Sequence, residues 1–291
     1  MKRTDLHMHT WSSDGTWSPV VLIERLKSKN IEIFSITDHD TIESSEEMKT
    51  MILDEDQIFI PGVEVSTTFK GREYHLTAYH YDNQNKEFID LIQRNDEVRL
   101  QYNYEFIDLQ SKVYDSVSLD DYFNHYEEDP TKGGWKALNY FLDKGIYKTM
   151  YDYFDALRET QLQLTFRNPE EVINILKKSG AFVFLAHPSY YYQNSVMPDF
   201  ELKQWKNMGV DGLECYTPYA VKEDQLAYYK HFCTMNNLMV SGGSDSHGNF
   251  LNRPLGYPEI DITDLDISPL LEILSNGTKT STLIADRRRK L

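Results

Sequence analysis

The segment TDLHMHTWSSDGTWSPVVLIERLKSKNIEIFSITDHDT, residues 4–41, sets the pattern of the whole chain. Residues 4–9 alternate in the manner of a strand. A helix signal follows, with Ser18 as N-cap, Pro19 at the first helical position and apolar residues returning on one face. The β-branched IEIFSIT then reads as a second strand, ending at Asp38, His39 and Asp40. A strand, a helix and a strand in that order make a crossover unit that lays its strands parallel. Residues two apart in a strand share a face, so Asp5, His7 and His9 project together while Leu6 and Met8 face the opposite layer. Two imidazoles on one face make half of a metal clamp. A lone pair of this kind is also what an ordinary core or turn supplies.

The same rhythm extends outward. QIFIPGVEVSTTF (57–69) and YHLTAYHY (74–81) read as further strands. In NPEEVINILKKSG (168–180), Asn168 caps a helix, Pro169 opens it, two glutamates suit its N-terminus and Gly180 ends it. Strand AFVFLAH (181–187), a helix over 199–208, strand VDGLECY (210–216), helix KEDQLAYYKHFCTMNN (222–237) and strand LMVSGG (238–243) complete the series. Repeated strand–helix units predict an α/β protein with a parallel sheet, and this many favour closure into a barrel. Residues 86–165 break the pattern with four helical stretches rich in Tyr, Phe and Asp. They read as a helical insertion that either covers the barrel mouth or packs against its side. The expected division is barrel over 1–85, insertion over 86–165 and barrel again over 166–291. The basic ending RRRK, residues 287–290, reads as a solvated tail.

Composition narrows the function classes. The chain has 291 residues, 40% hydrophobic, with 46 acidic against 30 basic side chains and a formal net charge of −16. That charge disfavours a long nucleic-acid duplex as partner, although a local metal site still admits a small phosphorylated ligand. Cys215 and Cys233 form no CxxC motif and read as buried free thiols. The start, MKRTDLHMHT, lacks an apolar leader core, and no stretch approaches the ~20 apolar residues of a membrane span. The expected setting is cytoplasmic.

Chemistry-bearing residues recur where strands end. Beside His7, His9 and the turn residue Asp14 stand Asp38, His39 and Asp40, then Glu64 in PGVEVS and His75 in YHLTAYH. After the insertion come His187 in LAHP, Glu214 in DGLECY, and Asp245 and His247 in SGGSDSH. Each singly has a plain structural explanation. Together they fill the face on which barrel enzymes build their sites, and so many acids and imidazoles in one cavity require compensating positive charge. Histidine and carboxylate ligands without thiolate suit Mn²⁺, Fe²⁺ or Zn²⁺.

Taken in order, DLHMHTWSSDGT, ITDHDT, GVEVS, LAHP and GGSDSHG resemble the motifs of the PHP (polymerase and histidinol phosphatase) family of metal-dependent phosphoesterases. The likeness spans about 1–85 and 165–260. It is nearest the bacterial branch acting on nucleotide 3′-phosphates and short 5′-phosphorylated RNA, because histidinol-phosphate phosphatases usually carry histidine where this chain has Asp14. The resemblance implies a distorted (β/α)7 barrel holding two or three divalent metal ions. By motif, His7, His9, Glu64 and Asp245 would hold the first ion, and Asp14, His39 and His247 the second. His75 and His187 would join Glu64 at the third. His80 is the rival to His75 but points the other way in a regular strand. Asp38 and Asp40 would orient His39 or cap the next helix, and Glu214 would sit behind the ligands.

The implied reaction is attack on a phosphomonoester by a metal-bridging hydroxide, with Asp14, His39, Glu64, His187, Asp245 and His247 as catalytic residues. His187 or His247 would donate a proton to the leaving alkoxide. The expected substrate is a nucleoside 3′,5′-bisphosphate or the end of a short oligonucleotide. The alternatives are a phosphatase for a non-nucleotide metabolite and, less favoured, a non-catalytic metal-stabilised module. One departure concerns substrate. Where that branch often carries an Arg-x-His in its lid, this chain has Gly133, Gly134 and Trp135. Lys132 or Lys136 would then serve as point charges for phosphate, and Trp135 would stack on a base. Arg253 is a further phosphate candidate, with a salt bridge as its other reading.

Overall fold

A computed structural model describes residues 2–192, 195–220 and 222–272. The basic stretch at 287–290 lies outside these. The chain folds as a mixed α/β protein. Strand β1 (Arg3–Asp5) leads to α1 (Pro19–Ser28), β2 (Ile31–Phe34), α2 (Glu43–Met48), β3 (Ile58–Phe59), β4 (Gly62–Phe69) and β5 (Arg72–Tyr79). Helices α3 (Lys86–Ser111), α4 (Leu119–His125), α5 (Lys136–Asp143) and α6 (Met150–Glu159) follow. The alternation then resumes with α7 (Pro169–Lys178), β6 (Phe182–Leu185), α8 (Pro188–Tyr191), α9 (Asp199–Met208), β7 (Gly212–Tyr216), α10 (Glu223–Asn236) and β8 (Met239–Gly242). The caps read from sequence are in place: Ser18 accepts from the Val21 N–H and Asn168 from the Glu171 N–H. Among the described residues no helix is long and apolar enough to cross a membrane.

The strands form two sheets, ordered β1-β2-β3 and β4-β5-β6-β7-β8, rather than one continuous closed sheet. Isolated bridges join them where the chain runs on past its strands: Met8 pairs with Ser246, and His39 with Glu64. The expected single strand over 57–69 is two strands in different sheets, divided at Pro61, which has no N–H to carry a ladder onward. The expected strand over 4–9 is ladder only to Asp5. Leu6 and Met8 are nevertheless buried in the core, as the alternation requires.

The expectation of parallel strands fails at one place with consequences for the site. β5 pairs antiparallel with both β4 and β6, while β1, β2 and β3 pair parallel, as do β6, β7 and β8. The cause is local. Lys70 and Gly71, at φ 52° and 76°, form a two-residue hairpin with both central residues left-handed, which returns the chain at once without a crossover helix. The start of β5 therefore lies with the carboxyl ends of its neighbours, and its end lies at the opposite edge.

The helices of 86–165 enclose an aromatic core of their own, with Phe106, Tyr122, Tyr140, Phe141 and Tyr153 buried. Phe250, from the segment after β8, packs against it. Gly133 and Gly134 make that docking possible. Both have positive φ, the Gly134 N–H donates to the Asp14 carbonyl at 2.7 Å, and a Cβ on Gly134 would stand 2.5 Å from the Phe250 ring. The two glycines thus let the backbone at 133–134 approach that of Asp14.

Candidate metal centre

Glu64 is the hub. It is fully buried on β4, and five imidazoles converge on its carboxylate. Oε2 faces His7 Nε2 at 3.1 Å, His9 Nε2 at 3.3 Å and His39 Nδ1 at 3.3 Å. Oε1 faces His75 Nδ1 at 3.2 Å and His187 Nε2 at 2.9 Å. His7 and His9 follow β1, His39 follows β2, and His187 follows β6 at φ 30°. Asp245 follows β8 at φ 48°. Left-handed backbone at a non-glycine residue costs about 1–2 kcal/mol, and here it turns both side chains off the strand ends towards Glu64.

Two further carboxylates complete the group. Asp245 Oδ1 lies 3.1 Å from His9 Nε2 and 3.6 Å from His7 Nε2, while its Oδ2 accepts from Tyr219 at 2.5 Å and Arg253 at 2.6 Å. Asp14 meets His247 Nε2 at 3.2 Å, His9 Nδ1 at 3.5 Å and His39 Nε2 at 3.9 Å. Three sets of side chains can each offer atoms to one ion: His7, His9, Glu64 and Asp245; His9, Asp14, His39 and His247; and His39, Glu64 and His75. The first is the set expected from the motifs. The second gains His9. The third contains His39 in place of His187, which still touches Glu64.

The chemistry of these atoms fits metal ions. His7 Nε2 and His9 Nε2 are 3.2 Å apart, so two ring nitrogens face one another and a shared carboxylate. The Nδ1 atoms of His9, His39, His75 and His187 are buried without a hydrogen-bond partner. Other ring nitrogens are held on their far sides: His7 Nδ1 by Glu214 at 2.8 Å, His247 Nδ1 by the Asp245 backbone carbonyl at 2.8 Å, and His75 Nε2 by Glu73 at 3.0 Å. Each such bond fixes a tautomer with its lone pair turned inward, as metal-ligating histidines require.

Electrostatics agree. Burial opposes ionisation of Glu64, Asp14 and Asp245, yet neighbouring charges hold all three carboxyls well below the usual range: His7 and His39 for Glu64, His247 and His39 for Asp14, Arg253 and His247 for Asp245. Burial likewise opposes protonation of His9 and His75, but Asp245 and Glu64 lift His9 to about 9, and Glu64 and Glu73 lift His75 to about 10. The cluster demands positive charge: without metal, protons on His7, His9 and His75 supply it, while burial holds His39 well below the usual imidazole range.

A cavity of about 630 Å³ opens beside the centre, lined by Asp14, His39 and His75 on one side and by Trp135, Tyr153 and Phe154 of the helical region on the other. The helical region thus meets the sheets in two ways: residues of it line the cavity at the strand ends, while Phe88, Leu91 and Ile92 of α3 are buried in the core formed with β4, β5 and α7. Trp135 packs edge-on against Phe154, with ring centroids 4.8 Å apart, and keeps a surface on the cavity. Lys136 lines the cavity while pairing with Glu128 at 3.1 Å. Lys132 is drawn away: both oxygens of Asp143 hold its ammonium, at 2.6 and 2.7 Å, and it lies outside the cavity lining. Arg253 is spent on Asp245 and does not line the cavity, so the salt-bridge reading is the one realised.

Asp38 and Asp40 do not hold His39. Asp38 accepts from the Thr10 N–H and the Thr10 and Ser13 hydroxyls, organising the Asp14 turn. Asp40 accepts from the Ser66 N–H, the Ser66 hydroxyl and Asn95. Asp5 meets no ring or carboxylate of the cluster; its carboxylate accepts the backbone N–H groups of His7, Ser244 and Gly256. His80 lies past the far end of β5, half-buried, with its N–H on the Pro61 carbonyl. Glu73, Arg72 and Arg99 went unnoticed in the sequence. Glu73 alone left a signal there, since it stands two residues before His75 on one strand face.

Comparison with known proteins bears on this arrangement. The sequence profile of the PHP domain matches residues 5–221. The chain is 24% identical over 263 residues to a 5′-3′ exoribonuclease of Haemophilus influenzae, covering 89% of this chain and 93% of that one. It is 20% identical over 251 residues to a 3′,5′-nucleoside bisphosphate phosphatase of Chromobacterium violaceum, covering 85% and 88%. In structure it is similar to a Bifidobacterium adolescentis protein assigned as a metal-dependent phosphoesterase, with a TM-score of 0.73, 24% identity and coverage of 89% and 93%. With the profile spanning most of the chain and the clustered histidines and carboxylates offering ligands for metal, the protein belongs to the PHP domain family and is a metal-dependent hydrolase of phosphoester bonds.

Proposed function

We propose that the enzyme uses two or three divalent ions, of the Mn²⁺, Fe²⁺ or Zn²⁺ class, to hydrolyse a small phosphomonoester: a nucleoside 3′,5′-bisphosphate or the end of a short oligonucleotide. The observation that carries the reading is Glu64, one buried carboxylate meeting five imidazoles beside a cavity of nucleotide size. The ligands are His7, His9, Glu64 and Asp245 for the first ion and Asp14, His39 and His247 for the second. Glu64 and His75, with His187, serve the third. When bound, such ions activate water near neutral pH and neutralise charge on phosphoryl oxygens.

The chain's own groups do the rest. Glu214 and the Asp245 carbonyl keep His7 and His247 in the tautomers whose Nε2 atoms face the centre. His187 or His247 would donate a proton to the leaving alkoxide, from a ring nitrogen not engaged by an ion. Trp135 offers a π face to a base. Arg72 takes the phosphate role first given to Lys132. It lines the cavity, donates to the Tyr191 carbonyl at 2.9 Å, and has no carboxylate partner among the described residues. Lys136 supplies a second cation. We read the two bridged sheets, of three and five strands, as a distorted barrel formed by 1–85 and by the described residues from 166 on, with 86–165 as its lid. The exoribonuclease and bisphosphate phosphatase relatives support a nucleotide substrate.

The test is phosphate release under Mn²⁺ from nucleoside 3′,5′-bisphosphates, 5′-phosphorylated oligonucleotides, sugar phosphates and histidinol phosphate. Nucleotides are expected to turn over fastest. If all of them are inert while another ester is hydrolysed, the substrate assignment is wrong.

A further inference from the structure

Two histidines of the centre have a carboxylate behind them, and the two carboxylates are held differently. Behind His7 stands Glu214, fully buried on β7, which also accepts the His187 N–H at 3.0 Å. Behind His75 stands Glu73, whose side chain is 30% exposed on the cavity wall. Glu73 Oε1 accepts from His75 Nε2 at 3.0 Å and from Arg99 Nη2 at 2.9 Å. Arg99 comes from α3, the first helix of the helical region. The same nitrogen reaches the Ser66 hydroxyl at 2.7 Å, and the guanidinium lies over the Phe166 ring. One turn earlier on α3, Asn95 donates to Asp40 at 2.8 Å and to the Ser66 carbonyl at 2.9 Å. A polar chain thus runs from the helical region through Arg99 and Glu73 to His75, whose other nitrogen faces Glu64.

We infer that Glu73 and Arg99 are positioning residues for the His75 ion, so that loading of this one subsite depends on how α3 is seated. The inference rests on the multinuclear reading above. With Nε2–H pinned to Glu73, the His75 lone pair at Nδ1 stays turned to Glu64; without the pin the ring is free to take the other tautomer or rotate into the cavity. Arg99 keeps Glu73 aimed, since one guanidinium nitrogen, Nη2, donates to both Glu73 and the Ser66 hydroxyl while the guanidinium plane lies on the Phe166 ring, a stacking that a lysine ammonium does not reproduce. Among the described residues no comparable support from the helices reaches His7.

The test uses the full chain, stripped with chelator and titrated with Mn²⁺, counting bound metal after equilibrium dialysis and following binding by calorimetry. In Glu73→Gln the weakest Mn²⁺ is expected to lose about 10- to 100-fold in affinity while the tighter ions are retained. Arg99→Met should follow it, and Arg99→Lys should fall between Met and wild type. Far-ultraviolet circular dichroism checks that each variant is folded, and the Arg99 pair carries the test if Glu73→Gln is not. Wild-type loading beside identical loading of the folded variants overturns this inference alone. Equal weakening of every ion in a folded variant also overturns it, since the effect would not belong to His75. A wild type that takes up no Mn²⁺ overturns the multinuclear reading and this inference with it.

Discussion

The centre has an inner and an outer half, and they are built by different means. The inner half, His7, His9, Glu64 and Asp245, has side chains 0–4% exposed and hangs from strand ends locked to one another, as in the Asp245 N–H bond to the His7 carbonyl at 2.8 Å. The outer half, His39 and His75, is 17 and 18% exposed, lies on the cavity wall and is supported in part from α3. Charges buried without water need permanent compensation, so the inner set is made rigid by strands and hydrogen bonds on its far side. The outer set faces the space that substrate must enter, and its support comes from the helices that shape that space. Strands and buried hydrogen bonds fix the inner set, and the helical side lines the space beside the outer one.

Four experiments break or sharpen this contrast. The largest effect is expected from Glu64→Ala, which removes the group common to both halves. Turnover should fall by at least about 10³-fold, the loss of several kcal/mol of charge stabilisation, with circular dichroism unchanged. Retained activity there would sink the site. His39→Ala, in the outer half, should cost about 10²- to 10³-fold in kcat, equivalent to roughly 3–4 kcal/mol. Steady-state assays at low and then at saturating Mn²⁺ measure it, and a loss recovered at the higher concentration would mark His39 as a binding rather than a chemical contributor.

Smaller effects separate neighbours on one strand and one helix. His75→Ala should lower activity about 10- to 100-fold, while His80→Ala should stay within about twofold, because His80 lies at the other edge of the sheet. The reverse ranking would correct the ligand choice. Trp135→Ala should raise KM for a nucleoside bisphosphate about fivefold or more, the ~1 kcal/mol lower bound of a base–aromatic stack, and leave KM for a sugar phosphate unchanged. Equal effects on both substrates would assign Trp135 to lid packing against Phe154 alone.

Much of this was legible beforehand because it is local. The caps at Ser18 and Asn168, the helix over 199–208 and the four helices of 86–165 follow from periodicity and end signals a few residues long. The residues at the strand ends were readable as a set because metal chemistry restricts them to a few side-chain types. The parallel reading of β5 failed because direction depends on a two-residue turn, Lys70 and Gly71, whose handedness outweighs the alternation around it. Lys132 looked as eligible as Lys136 until Asp143, on the next helix, was seen to hold it.

By itself, then, the amino-acid sequence determined which elements form and which residue types stand at their ends, since both are written in short-range pattern and in the chemistry of imidazole and carboxylate. Tertiary structure alone decided which of those residues meet. The reversed strand brings His75, and not His80, to Glu64. The bond between Arg99 and Glu73 joins residues 26 positions apart, and that between Asp245 and His9 joins opposite ends of the chain. Contacts of that range arise only when the sheets and helices pack, because burying their apolar faces is what brings distant polar groups within reach of one another.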